Sequence, residues 1–226
     1  ISAPNRPVQD EDHADPLEAS FGRNMLAGAA ALWADRPVVI FTAAVAVLAM
    51  LYMPTESVLL PVHYQGLDQP ESFGVVIALL SVGGMIGAFG YGWLARRWSR
   101  YTIARVCMTV ACLAYVPLAL LLRLPWMATT AFFLGLAWGP VEPLLNSLGQ
   151  DRFPPQQHGR VFGIQMSIFY AALPLGQLVV GVAVSQAGVG PIFLVLAALL
   201  VATALAVDLL PSMRGLNAPV AARRSA

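Results

Sequence analysis

The chain has 226 residues, of which 58% are hydrophobic and 11% charged, and its formal net charge is +1. A soluble domain carries about 25% charged residues, so this composition points away from a soluble fold, and the near-zero charge removes the basic surface that nucleic-acid binding needs. All 13 basic residues are arginine, which excludes Schiff-base and phosphate-loop lysine chemistry.

Residues 1–34 form the first segment. Asp10, Glu11, Asp12, Asp15 and Glu18 make its start acidic and polar, as in a disordered linker. Residues 17–34 place Leu17, Phe21, Met25, Leu32 and Trp33 where one side of an amphipathic lead-in helix would be apolar. The chain begins at Ile1, and no basic stretch with a short apolar core follows, so no signal peptide is expected. A severed half of a longer protein is the expectation.

Six apolar stretches fill residues 35–211, each near the roughly 20 residues that cross a bilayer as a helix. They read as Pro37–Leu60, Ser72–Ala95, Tyr101–Leu122, Trp126–Gly149, Gly159–Val184 and Val189–Leu210. Strand-like alternation is absent, which argues against a membrane barrel. Residues 212–226 read as a tail. Arginines fall before span one (Arg6, Arg23, Arg36), after span two (Arg96, Arg97, Arg100, Arg105), after span four (Arg152, Arg160) and after span six (Arg214, Arg223, Arg224). The other side has Arg123. Cytoplasmic loops are arginine-rich, so both termini are expected in the cytoplasm of a multi-pass protein of the cell membrane.

Gly83, Gly84, Gly87, Gly90 and Gly92 crowd span two. Small residues one turn apart let two helix backbones approach closely in lipid. Either ordinary packing or a contact that slides during transport accounts for them. Cys107 and Cys112 lie on different helical faces and read as small apolar packing residues. His63 and His158 have no partner at ligand spacing, so no metal site is expected.

The glycine run leads into Gly92-Trp93-Leu94-Ala95-Arg96-Arg97-Trp98-Ser99-Arg100. Here the sequence resembles the major facilitator superfamily, whose members carry Gly, two residues, Ala, Asp, Arg, one residue, Gly, Arg between the second and third helices of each half. Gly92, Ala95, Arg97 and Arg100 match; Arg96 and Ser99 replace the Asp and Gly. Two further segments resemble the eleventh helix of family exporters: His158-Gly159-Arg160-Val161-Phe162-Gly163, and Tyr170-Ala171-Ala172-Leu173-Pro174-Leu175-Gly176 followed by Gly181. The pattern is most similar to the drug-efflux and siderophore-export branch. The resemblance implies an all-α membrane protein of six transmembrane helices, arranged as two inverted three-helix repeats, that is, half of a twelve-helix transporter. It also implies that Gly92, Ala95, Arg97 and Arg100 form a cytoplasmic gate motif, that an N-terminal six-helix half is a partner, and that a proton gradient drives efflux.

Carboxylates inside spans are costly and mark transport pathways or paired structural sites. Glu56 follows Pro54 in span one, and Glu142 follows Pro140 in span four. Spans one and four correspond in an inverted repeat, so a Pro-x-Glu element recurs at matching offsets, and interrupted helices at such positions point to a substrate path. Glu56 reads either as part of that path or as an interfacial residue reaching water. Asp208 reads as interfacial. Tyr52, Phe132, Phe133 and Trp138 on the same spans suit either a cavity for a bulky substrate or packing. No nucleophile elbow, phosphate loop or metal cluster occurs, so neither an enzyme nor a cofactor is expected. The expectation is secondary efflux of small amphipathic molecules in the lipid bilayer; a six-helix protein without transport, or a half-size transporter that dimerises, is the alternative.

Overall fold

Backbone polar groups have no water partners in a hydrocarbon core, so apolar runs must satisfy them internally, as helices do. The computed structural model describes residues 29–30, 32–209 and 215–217, with 207 and 208 by backbone alone. Helix α1 spans Arg36–Gly66 and contains a π-helical turn at Thr55–Leu59. It is followed by α2 (Pro70–Arg97), α3 (Arg100–Ala119), α4 (Leu124–Trp138), α5 (Val141–Arg152), α6 (Pro155–Ala187) and α7 (Val189–Leu209). Prolines at the first turns of α2, α4 and α6 start those helices where a missing N–H costs nothing. Gly188, at φ 79°, lets α7 begin directly after α6.

Among the described residues, five helices are long and apolar enough to cross a membrane: α1, α2, α3, α6 and α7. Span four, expected as one helix over 126–149, is instead two, α4 and α5. The cause is local. Pro140 and Pro143 both lack an N–H, so the carbonyls of Leu136 and Gly139 lose their helical donors, and the chain turns at Gly139–Pro140. Expected boundaries elsewhere move by up to six residues, the largest being the extension of span one to Gly66.

The core lies between α1, α3, α4 and α7, around Phe41, Leu48, Tyr52, Tyr115, Met127 and Phe193. A smaller cluster of Leu32, Val38, Phe153 and Val161 closes the arginine-rich end. Leu32 belongs to the expected lead-in helix and is buried, while Trp33 is exposed. Residues 17–28 and 31 of that lead-in, the acidic linker, Leu210, most of the tail and the side chain of Asp208 lie outside the described residues. Cys107 and Cys112 are buried free thiols. Of the spans, α2 and α6 keep most apolar surface uncovered, with Phe89 83% and Leu178 66% exposed.

Candidate functional site

Three helices supply the walls of a groove of about 220 Å³: Val45 and Met53 from α1, Val141, Glu142 and Leu145 from α5, and Met166, Phe169 and Tyr170 from α6, with Trp138 at the end of α4. Glu142 stands in the first turn of α5, which a helix N-terminus favours for a carboxylate. It is exposed to the groove. A carboxylate beside two methionines and three aromatic rings can receive an amphipathic cation through charge, cation–π attraction and apolar contact.

The expected aromatics divide. Trp138 lines this groove. Tyr52 lies behind it, 5% exposed, with its ring centroid 5.8 Å from that of Trp138. Phe132 packs edge-on against Phe133 and turns its carbonyl towards α2. Met166, Phe169 and Tyr170 were not singled out for the groove; their helical spacing on α6 is the signal that finds them.

Glu56 sits in the π-helical turn, half-buried. Its partner is the Tyr52 phenol. One residue earlier, the Thr55 hydroxyl is 2.6 Å from the Tyr115 hydroxyl of α3, in a fully buried pair. Glu56 thus belongs to a polar cluster inside the apolar core, whereas Glu142 faces the groove.

Pro54 and Pro140 do more than interrupt helices. Pro54 cannot donate to the carbonyl of Met50, and Pro140 cannot donate to that of Leu136. A Cβ at Gly176 of α6 would fall on the Met50 oxygen, and a Cβ at Gly87 of α2 would fall on the Leu136 oxygen. Each proline-freed carbonyl is therefore covered by a glycine of a neighbouring helix rather than lining a cavity. The pairs α1–α6 and α2–α4 exchange under the inverted-repeat relation, so the two contacts are equivalents. Gly83, facing the Phe132 carbonyl, extends the second contact; so do Gly135 and Gly139, facing the carbonyls of Leu80 and Gly84. Gly84 lies looser, with a Cβ 3.8 Å from the Gly135 oxygen.

Residues 3–177 match the family model of the Major Facilitator Superfamily. The chain belongs to that superfamily. Membership makes it part of a multi-pass membrane protein of a transporter superfamily rather than of an enzyme family. It is 36% identical over 167 residues to the multidrug efflux pump Tap of Mycobacterium tuberculosis (strain ATCC 25618 / H37Rv), covering 74% of this chain and 40% of the relative. The pump Tap of Mycolicibacterium fortuitum is 34% identical, over 74% of this chain and 41% of that protein. The chain thus spans about two-fifths of the length of the curated relatives it matches. The crystal structure of the POT family transporter PepTSo shares the fold, with a TM-score of 0.62 and 18% identity, over 77% of this chain and 37% of that one.

The superfamily loop motif lies between α2 and α3. Gly92 and Ala95 are exposed, and a Cβ at Gly92 would meet nothing within 4 Å. The Arg97 guanidinium lies over the Trp93 ring, 4.7 Å from its centroid. Arg100 pairs with Asp151 at the end of α5. Ser99, in place of the family glycine, caps α3 by accepting from the Thr102 amide at 3.2 Å. Beside it, Arg152 is buried and donates to Asp35 at 2.9 Å and 3.2 Å, and to the carbonyl of Gly215. Asn217 accepts from the Tyr101 amide. Residues 215–217 thereby fasten the starts of α1 and α3 and the end of α5 together.

Proposed function

We propose that the chain is the C-terminal half of a proton-coupled exporter of small amphipathic cations. It works with an N-terminal six-helix half, from the cell membrane and with both termini in the cytoplasm. The observation that carries this reading is the groove in which Glu142 meets Trp138, Phe169, Tyr170, Met53 and Met166. Similarity to proteins named multidrug efflux pumps supports the substrate class. In alternating access, two six-helix bundles rock about a shared site.

Coupling requires that a carboxylate hold a proton in one state and a cationic substrate, or water, in the other. Glu142 has the accessibility for both. Motif residues Gly92, Ala95, Arg97 and Arg100 serve as the cytoplasmic gate, through the Arg100–Asp151 pair that joins α3 to α5. The test uses Glu142→Gln in the protein expressed from its complete open reading frame and reconstituted in liposomes. The change keeps shape and removes the charge. Efflux driven by a pH gradient should fall by at least tenfold while expression is retained. Unchanged rate and unchanged pH dependence would overturn the role of Glu142.

A further inference from the structure

Helix α5 carries Glu142, Asn146 and Gln150 at i, i+4 and i+8, which places them on one face. Glu142 lines the aromatic groove; Asn146 and Gln150 line a second cavity of about 530 Å³ that continues towards the arginine-rich end. Leu145 borders both. The second cavity is less apolar than the first: Asn146, Gln150, His158 and Gln165 line it together with Leu145 and Phe162.

One buried acceptor in its wall is left without a donor. The side-chain oxygen of Asn146 is buried and accepts no hydrogen bond from any described residue. Gln165 is 2% exposed, and its amide nitrogen donates to the Thr42 hydroxyl at 2.9 Å, so its carbonyl oxygen remains the acceptor end. His158 Nε2 lies 2.7 Å from the carbonyl oxygen of Phe153 and 3.1 Å from that of Gln150, so this nitrogen carries a proton and donates. A buried acceptor without a donor is costly, about 1–3 kcal/mol. A ligand that supplies donors removes that cost. Among the described residues neither a carboxylate nor an arginine lines this cavity, so it suits neutral donors, hydroxyl or amide N–H.

We propose that this cavity is a second subsite, which takes the hydrogen-bond-donating polar end of an amphipathic cation whose charged and apolar part lies against Glu142. The subsite rests on the transport reading above and adds to it a preference that an aromatic groove alone does not give. One helical turn, about 6 Å with the next polar residue included, separates Glu142 from Asn146, so a cation bearing a donor on a short flexible arm spans both.

The experiment measures equilibrium binding to the purified protein, expressed from its complete open reading frame, of hexyl-triphenylphosphonium and its ω-hydroxy derivative. The two probes share charge and apolar body and differ by one donor. In Asn146→Leu, and in the smaller Asn146→Ala, the ratio of the two Kd values should shift against the hydroxy probe by about three- to tenfold, the worth of one neutral hydrogen bond. Asn146→Ala decides the case if Asn146→Leu binds neither probe. A ratio that stays at the wild-type value in both variants overturns the subsite and leaves the transport reading standing. If the wild-type protein binds neither probe, the cationic-substrate reading falls, and the subsite with it.

Discussion

Asp35→Ala should destabilise the protein more than any surface substitution. The Arg152 side chain is 3% exposed and that of Asp35 17%. Removing Asp35 leaves a buried guanidinium with the Gly215 carbonyl as its remaining acceptor among the described contacts. Breaking one side of a buried ion pair costs about 3–5 kcal/mol. The lost cap on Val38 adds little, because that bond is long at 3.5 Å. For a protein of 150–250 residues each kcal/mol moves the midpoint by about 2–4 °C, so a fall of about 6–20 °C is expected. Cys107 and Cys112 are buried and free, which makes their reaction with a thiol-reactive fluorogenic dye a direct readout of unfolding in detergent. Replacing the pair by apolar residues, Asp35→Leu with Arg152→Met, should recover most of the loss, since no buried charge is then left alone. A fall below 2 °C in Asp35→Ala, or a double variant as unstable as the single one, would refute the argument.

Gly87→Leu should abolish folded, monodisperse protein in size-exclusion chromatography, because its Cβ would meet the Leu136 carbonyl, whereas Gly90→Leu, with open space around it, should be tolerated; equal behaviour of the two would mean that α2 and α4 do not meet as described. Single cysteines at Asp68 and Gln186 should react with an impermeant reagent from outside the cell, and those at Ser99 and Gln156 only after permeabilisation; inside-only reaction at Asp68 would invert the topology. Expressed alone, residues 1–226 should insert in the membrane and transport nothing; efflux from liposomes holding this chain alone would favour a self-sufficient dimer.

Much of the fold was legible because lipid imposes a simple rule. Length and apolarity locate α1, α2, α3, α6 and α7 to within a few residues. Hydropathy fails at span four, since an apolar run does not register two missing N–H groups, although Pro140 and Pro143 were in plain view. The glycines of α2 were legible as a contact, but their partners Gly135 and Gly139 were not, because the facing helix is fixed only by the tertiary fold. Glu142 was legible as a carboxylate within a span. Asn146 and Gln150 follow it by whole turns and were open to the same reasoning. Pairs such as Asp35–Arg152 and Thr55–Tyr115, 117 and 60 residues apart, leave no local pattern. Ser99 looked like a departure from a motif, and only its cap on α3 explains it.

The carbonyls of Met50 and Leu136, each pressed against a glycine, bear on how easily the helices shift. Helices joined by strong side-chain bonds must break them to slide, and each break adds to the barrier. A carbonyl resting on a glycine makes at most a Cα–H···O contact, worth about 0.5–1 kcal/mol, and its strength changes little over a fraction of an ångström. Such contacts act as bearings: close enough to hold two helices in register across the axis, yet with little friction along it. With two such bearings between the repeats, α6 can travel on α1 as α2 travels on α4, and the buried side-chain bond that parts as α6 moves on α1 is that of Gln165 to Thr42.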